Sequence, residues 1–83
     1  MDSSMITFRS VTPAQRGENL LRKEGIACTL RRTPRELAEQ GCGYSIRMNG
    51  AQLSQAAELL RKHGISYRKV YRLRNGVPEE VIL

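Results

Sequence analysis

Seven consecutive residues of this chain occur twice. Leu20-Leu21-Arg22-Lys23-Glu24-Gly25-Ile26 returns thirty-nine positions later as Leu59-Leu60-Arg61-Lys62-His63-Gly64-Ile65, with one change. Each copy reads as the end of a helix, a glycine at the C′ position, and the first residues of a strand. Two such junctions imply two copied β-α-β halves. At 83 residues there is no room for two cores, so both halves share one domain spanning 1–83. Its expected core is 5–74, with 75–83 as a C-terminal extension.

Capping chemistry places the helices. Thr12-Pro13-Ala14-Gln15 and Thr33-Pro34-Arg35-Glu36 each set a hydroxyl cap against Gln or Glu three residues on, with proline at the first helical position. Asn49-Gly50-Ala51-Gln52 is a weaker version. These predict helices over 13–24 and 51–63 and a shorter helical turn over 34–40, which Gly41 can end. Leu53, Ala56, Ala57 and Leu60 form one apolar stripe of the second helix.

Strands fill the gaps. Met5 to Val11 puts Ile6 and Phe8 on one side and Thr7 and Arg9 on the other. Ile26, Cys28 and Leu30 alternate with Ala27, Thr29 and Arg31, while Tyr44, Ile46 and Met48 alternate with Ser45 and Arg47. Tyr67 to Arg74 makes a fourth strand of ambiguous facing, with Tyr67 and Tyr71 on one side. The resulting order is that of an α+β, ferredoxin-like β-α-β-β-α-β domain, an antiparallel sheet with two helices on one face. The other face is expected to lie open and to carry Thr7, Arg9, Thr29, Arg31, Ser45 and Arg47. Asn75-Gly76 is a hairpin turn signal. Pro78 limits any returning strand to an edge, and a frayed tail is the simpler expectation for the last residues.

Composition narrows the function. Fourteen basic residues, eleven of them arginine, stand against eight acidic ones for a net charge of +6. That balance favours anionic partners such as nucleic acid, phosphates or acidic protein surfaces. Apolar runs are two or three residues long, so no membrane span is expected. Met1-Asp2-Ser3-Ser4 lacks the basic and apolar regions of a secretory signal, which predicts a cytoplasmic protein. Two cysteines fourteen apart fit neither a redox CxxC nor a zinc spacing, and there is one histidine. No metal site and no cofactor is therefore expected. His63 suits a helix C-terminus rather than catalysis.

The cysteines differ. Cys28 sits at an inward position between Ile26 and Leu30, where a free thiol acts as a small apolar filler. Cys42 lies between Gly41 and Gly43, which remove shielding side chains and give another molecule's backbone access. Sequence-near Arg31, Arg32, Arg35 and Arg47 would stabilise its thiolate, the reactive form.

Phe8-x-Ser10, Leu21-x-x-x-Gly25-Ile26, Thr33-Pro34-Arg35-Glu36 and Cys42-Gly43-x-Ser45-Ile46-Arg47 together resemble the putative selenium/sulfur carrier-like family of small bacterial proteins. The resemblance covers roughly 5–72. It departs at Glu39-Gln40-Gly41, where the family pattern usually carries serines. It implies that Cys42 is the carrier thiol, with Gly43 and Arg35 as motif companions. It also implies a donor such as a cysteine desulfurase and an acceptor enzyme as partners. A carrier of this kind needs one exposed, activated thiol and no base or pocket of its own, so it is not expected to be an enzyme in its own right.

The competing reading is a basic nucleic-acid-binding or protein-interaction module without thiol chemistry. RNA-recognition domains share this plan but stack bases on aromatics of the central strands. Gly43-Tyr44 matches two positions of that pattern, yet Ile46 and Met48 stand where aromatics would help, and the chain has four aromatics in all. A homodimer is left open by the sequence.

Overall fold

The computed structural model describes residues 3–35, 37 and 43–82. Strands β1 (Ser3–Phe8), β2 (Cys28–Arg32), β3 (Tyr44–Asn49), β4 (Val70–Arg74) and β5 (Val77–Val81) form one sheet in the order β2-β3-β1-β4-β5. Every neighbouring pair is antiparallel. Helix α1 (Val11–Lys23) joins β1 to β2, and α2 (Leu53–Lys62) joins β3 to β4. This is the expected α+β order, compatible with the ferredoxin-like plan, with β5 added at one edge.

The repeated heptads end both helices in the same way. In the first, Gly25 N–H donates to Arg22 C=O and Ile26 N–H to Leu21 C=O at 2.8 Å; in the second, Gly64 donates to Arg61 and Ile65 to Leu60 at 2.9 Å. Each is a Schellman motif, and Gly25 (φ 84°) and Gly64 (φ 70°) take the left-handed conformation that it requires. Leu21 and Ile26, like Leu60 and Ile65, are buried.

The helix starts differ from expectation. The cap of α1 is Ser10 rather than Thr12, with no side-chain cap bond. Thr12 and Pro13 fall inside the first turn, where N–H groups lack intrahelical partners, so proline is harmless there too. Asn49 does cap: its side chain accepts Ala51 N–H at 2.9 Å, but it opens a 3₁₀ turn over Gly50–Gln52 that leads into α2. The predicted stripe of Leu53, Ala56, Ala57 and Leu60 is buried throughout.

One core lies between helices and sheet and includes Ile6, Phe8, Leu21, Ile46, Leu53, Leu60 and Val70. Gly17 lets α1 settle onto it. A Cβ there would stand 3.1 Å from a Leu60 methyl, 3.2 Å from Ile46 Cδ1 and 3.3 Å from the Phe8 ring.

The opposite face is not open. Met5, Tyr71 and Leu73 form a second buried cluster on it, and Leu37, from the segment after β2, packs against them. Thr7 and Ser45 are buried as well. Thr7 Oγ1 donates to Lys69 C=O at 3.2 Å and accepts Lys69 N–H at 3.0 Å, and the Ser45 hydroxyl reaches Arg31 C=O at 3.5 Å. Their polar side chains thus spend their hydrogen bonds on neighbouring backbone, the segment before β4 and strand β2, not on water. Arg9, Thr29, Arg31 and Arg47 are exposed, as expected.

Tyr67 precedes β4 and packs against the main core, whereas Tyr71 belongs to the second cluster, so they do not share a face. The tail is a paired strand rather than frayed. Asn75 (φ 49°) and Gly76 (φ 79°) make a two-residue turn, and β5 pairs with β4 from Arg74↔Val77 to Val70↔Val81.

Candidate functional site

Cys42 and Gly41 lie outside the described residues, as does Glu36; the described flanks of their segment are informative. Thr33 N–H donates to Gly43 C=O at 3.0 Å, so the chain leaves the sheet after β2 and rejoins it before β3 at one point. Gly43 is tightly placed: a Cβ there would lie 3.2 Å from Phe8 C=O and 3.4 Å from Thr33 Oγ1. The residue after Cys42 is thus glycine for a steric reason, the approach of the β1 backbone.

Between these flanks, Leu37 N–H closes a turn onto Pro34 C=O at 2.9 Å. Arg35 is exposed beside it. The Thr33 hydroxyl is buried and bonds to no partner among the described residues. Sequence pattern casts it as a helix cap; its place against Gly43 makes it a hydroxyl held at the mouth of the cysteine segment. The helical turn expected over 34–40 falls largely on residues outside those described.

The arginines separate into two groups. Arg31 pairs across from Ser45, two residues from Gly43, and is exposed at that end of the sheet. Arg47 is four residues from Gly43 along β3, about 13 Å at strand spacing. It lines a shallow hollow with Ser3, Cys28 and Asn49 at the opposite end. Arg31 and Arg35 therefore flank the Gly43 end, and Arg47 does not.

Cys28 is occupied structurally. It is 7% exposed, on the helix-facing side of β2. Its thiol points to Glu18 C=O at 3.8 Å. Arg22 donates to Cys28 C=O at 3.0 and 3.3 Å, and the Glu18 carboxylate accepts Leu30 N–H at 2.9 Å. Burial pushes the Cys28 thiol above its ordinary value; hydrogen bonding from Arg22 opposes this and the Glu18 charge adds to it. It is a protonated filler at neutral pH, as the alternation of β2 implies.

Base stacking on the sheet has no platform. Ile46 and Met48 are buried under the helices, Tyr44 packs against the same core, and Tyr71 on the other face is 7% exposed. Among the described residues, no three His, Cys, Asp or Glu gather as metal ligands, and no helix is long and apolar enough to cross a membrane.

The family described as Putative Se/S carrier protein-like matches the chain over residues 3–72. No curated protein and no solved structure matches it.

Proposed function

The chain belongs to the putative Se/S carrier protein-like family, and from that premise we propose that Cys42 is its carrier thiol. The observation that carries this reading is the state of the other cysteine. The chain has two, and Cys28 is buried with its pKa raised, the environment of an inert thiol. Cargo carried on sulfur therefore falls to Cys42.

The chemistry is thiolate exchange. The Cys42 thiolate attacks the outer sulfur of a donor persulfide, the S–S bond of the donor breaks, and its thiolate leaves as the new S–S bond forms on Cys42. The acceptor enzyme reverses the roles. No net oxidation occurs, and no general base is needed once the thiol is ionised. Selenium would travel by the same displacement. Gly41 has no side chain to shield the sulfur, Gly43 lets the segment close against β1, Arg31 and Arg35 supply positive charge near the Gly43 end, and Arg47 adds to the field at longer range. The Thr33 hydroxyl, which has no partner among the described residues, is a donor for the bound cargo. A donor such as a cysteine desulfurase and an acceptor enzyme are the partners, with the excess of arginine steering acidic surfaces toward the carrier.

The test is transfer itself. Reduced protein is incubated with a cysteine desulfurase and cysteine, and its peptides are weighed. The reading predicts a sulfur-sized, reductant-labile mass gain on the Cys42 peptide, abolished in Cys42→Ala and kept in Cys28→Ala. A gain on Cys28, or on neither cysteine, contradicts it.

A further inference from the structure

The sheet face away from the helices is apolar across β1 and β4 and cationic across β2 and β3. Met5, Tyr71 and Leu73 are buried there, whereas Thr29, Arg31 and Arg47 are exposed. Register fixes the cationic part. Thr29 stands directly opposite Arg47 and Arg31 opposite Ser45, so the two arginines are diagonal neighbours on one face, about 7–8 Å apart. Neither strand contains an acidic residue. Among the described residues, the ion pairs use Arg22, Lys69 and Arg74, and no carboxylate pairs with Arg31 or Arg47.

The Arg47 end of this row is concave. Ser3, Thr29, Arg47 and Asn49 supply the polar lining of a hollow of about 440 Å³. The Asn49 carbonyl oxygen accepts Ala51 N–H at 2.9 Å, which leaves its amide N–H groups to donate outward. A guanidinium, two hydroxyls and an amide thus converge as donors, a set that suits a carboxylate. The other end of the row leads toward Gly43, because Arg31 lies opposite Ser45.

We propose that this row docks an extended segment of a protein partner with acidic residues at alternate positions, one carboxylate in the Arg47 hollow and the next on Arg31. Alternate side chains of an extended chain share a face and stand roughly 6.6 Å apart, which matches the diagonal arginines. Each guanidinium can hold a carboxylate through two parallel N–H···O bonds. Glu18 and Arg22 occupy groups on the β2 edge, so the face rather than the edge receives the segment. A nucleic-acid strand would match the charge but would find no exposed ring here for its bases, since Tyr71 on this face is 7% exposed. On the carrier reading, on which this docking role rests, a segment so bound runs from Arg47 toward Gly43 and brings its partner to the Cys42 segment.

The test titrates the Cys42→Ala protein with a short peptide carrying glutamate at alternate positions, its glutamine counterpart, and a single-stranded oligonucleotide of equal charge, following amide shifts by NMR. The acidic peptide should saturate and shift residues 29–31 and 45–49, and the glutamine peptide should shift none of them. Binding should weaken by about tenfold or more in Arg31→Gln/Arg47→Gln, since each charged hydrogen bond is worth roughly that factor. Arg16→Gln removes an exposed charge from α1, on the other face of the sheet, and should change affinity by less than about twofold, as salt screens remote charges. The proposal falls if the acidic peptide does not saturate, if the oligonucleotide binds the same residues as tightly, or if Arg16→Gln weakens binding as much as the double variant. Because the assay lacks the Cys42 thiol, failed sulfur transfer with peptide binding intact overturns the carrier reading alone. Failed peptide binding with transfer intact overturns the docking face alone. Both arginines are exposed, and the amide spectrum reports whether the variants fold.

Discussion

Cys28 is held by a small polar clasp, and two substitutions probe it. Glu18 and Arg22 stand one helical turn apart, 3.4 Å from each other, and together satisfy Leu30 N–H and Cys28 C=O. Glu18→Ala leaves a strand N–H without its partner and should cost about 1–2 kcal/mol, the penalty for orphaning a partly buried group. Urea midpoints measure it, and a cost near zero would mean that water replaces the carboxylate. The thiol makes a second prediction. Its folded pKa is raised, so above about pH 8.5 the unfolded chain releases a proton that the folded chain keeps. The contribution of Cys28 to stability is full below that pH and is lost as pH rises toward the folded value. Cys28→Ala should therefore show a shallower alkaline fall in stability than the parent, read from urea melts at neutral and alkaline pH.

The elements divide by whether their signals are local. Helix ends are legible because glycine and its neighbours carry the whole motif, and both heptads produce the same bonds. Gly25→Ala and Gly64→Ala should each cost about 1 kcal/mol, because alanine resists the left-handed conformation while nothing within 4 Å obstructs its Cβ. Nearly equal urea shifts would confirm the equivalence of the two junctions. Gly17→Leu acts through packing instead and should cost about 1–3 kcal/mol or more by forcing Leu60, Ile46 and Phe8 apart. The second face of the sheet was not legible. Its closure by Met5, Tyr71, Leu73 and Leu37 joins residues far apart in the chain, and alternation alone reads Thr7 and Ser45 as exposed. Thr33 does more than its cap motif implies, since its backbone N–H also ties the chain to Gly43 C=O.

Across the whole molecule, the two sheet edges are closed by different means. On β2, the Glu18 and Arg22 side chains occupy edge groups that another strand would otherwise seek. On β5, the two-residue turn makes Arg74↔Val77 the hydrogen-bonded closing pair, so Leu73↔Pro78 is a non-bonded pair and the Pro78 nitrogen faces outward. Pro78→Val restores a donor on that edge, beside the exposed Val77 and Ile82. Sedimentation should show concentration-dependent self-association that the parent lacks at the same concentration. A domain with guarded edges and a buried Cys28 offers partners its cationic surfaces and, on the proposed reading, a single working thiol. The rate of alkylation of each cysteine as a function of pH, read by peptide mass on native reduced protein, tests that claim most directly. The account predicts that Cys42 reacts well below the ordinary thiol pKa of about 8.5 while Cys28 reacts only on unfolding. A Cys42 that titrates like a free thiol, or a Cys28 that reacts as fast, would contradict it.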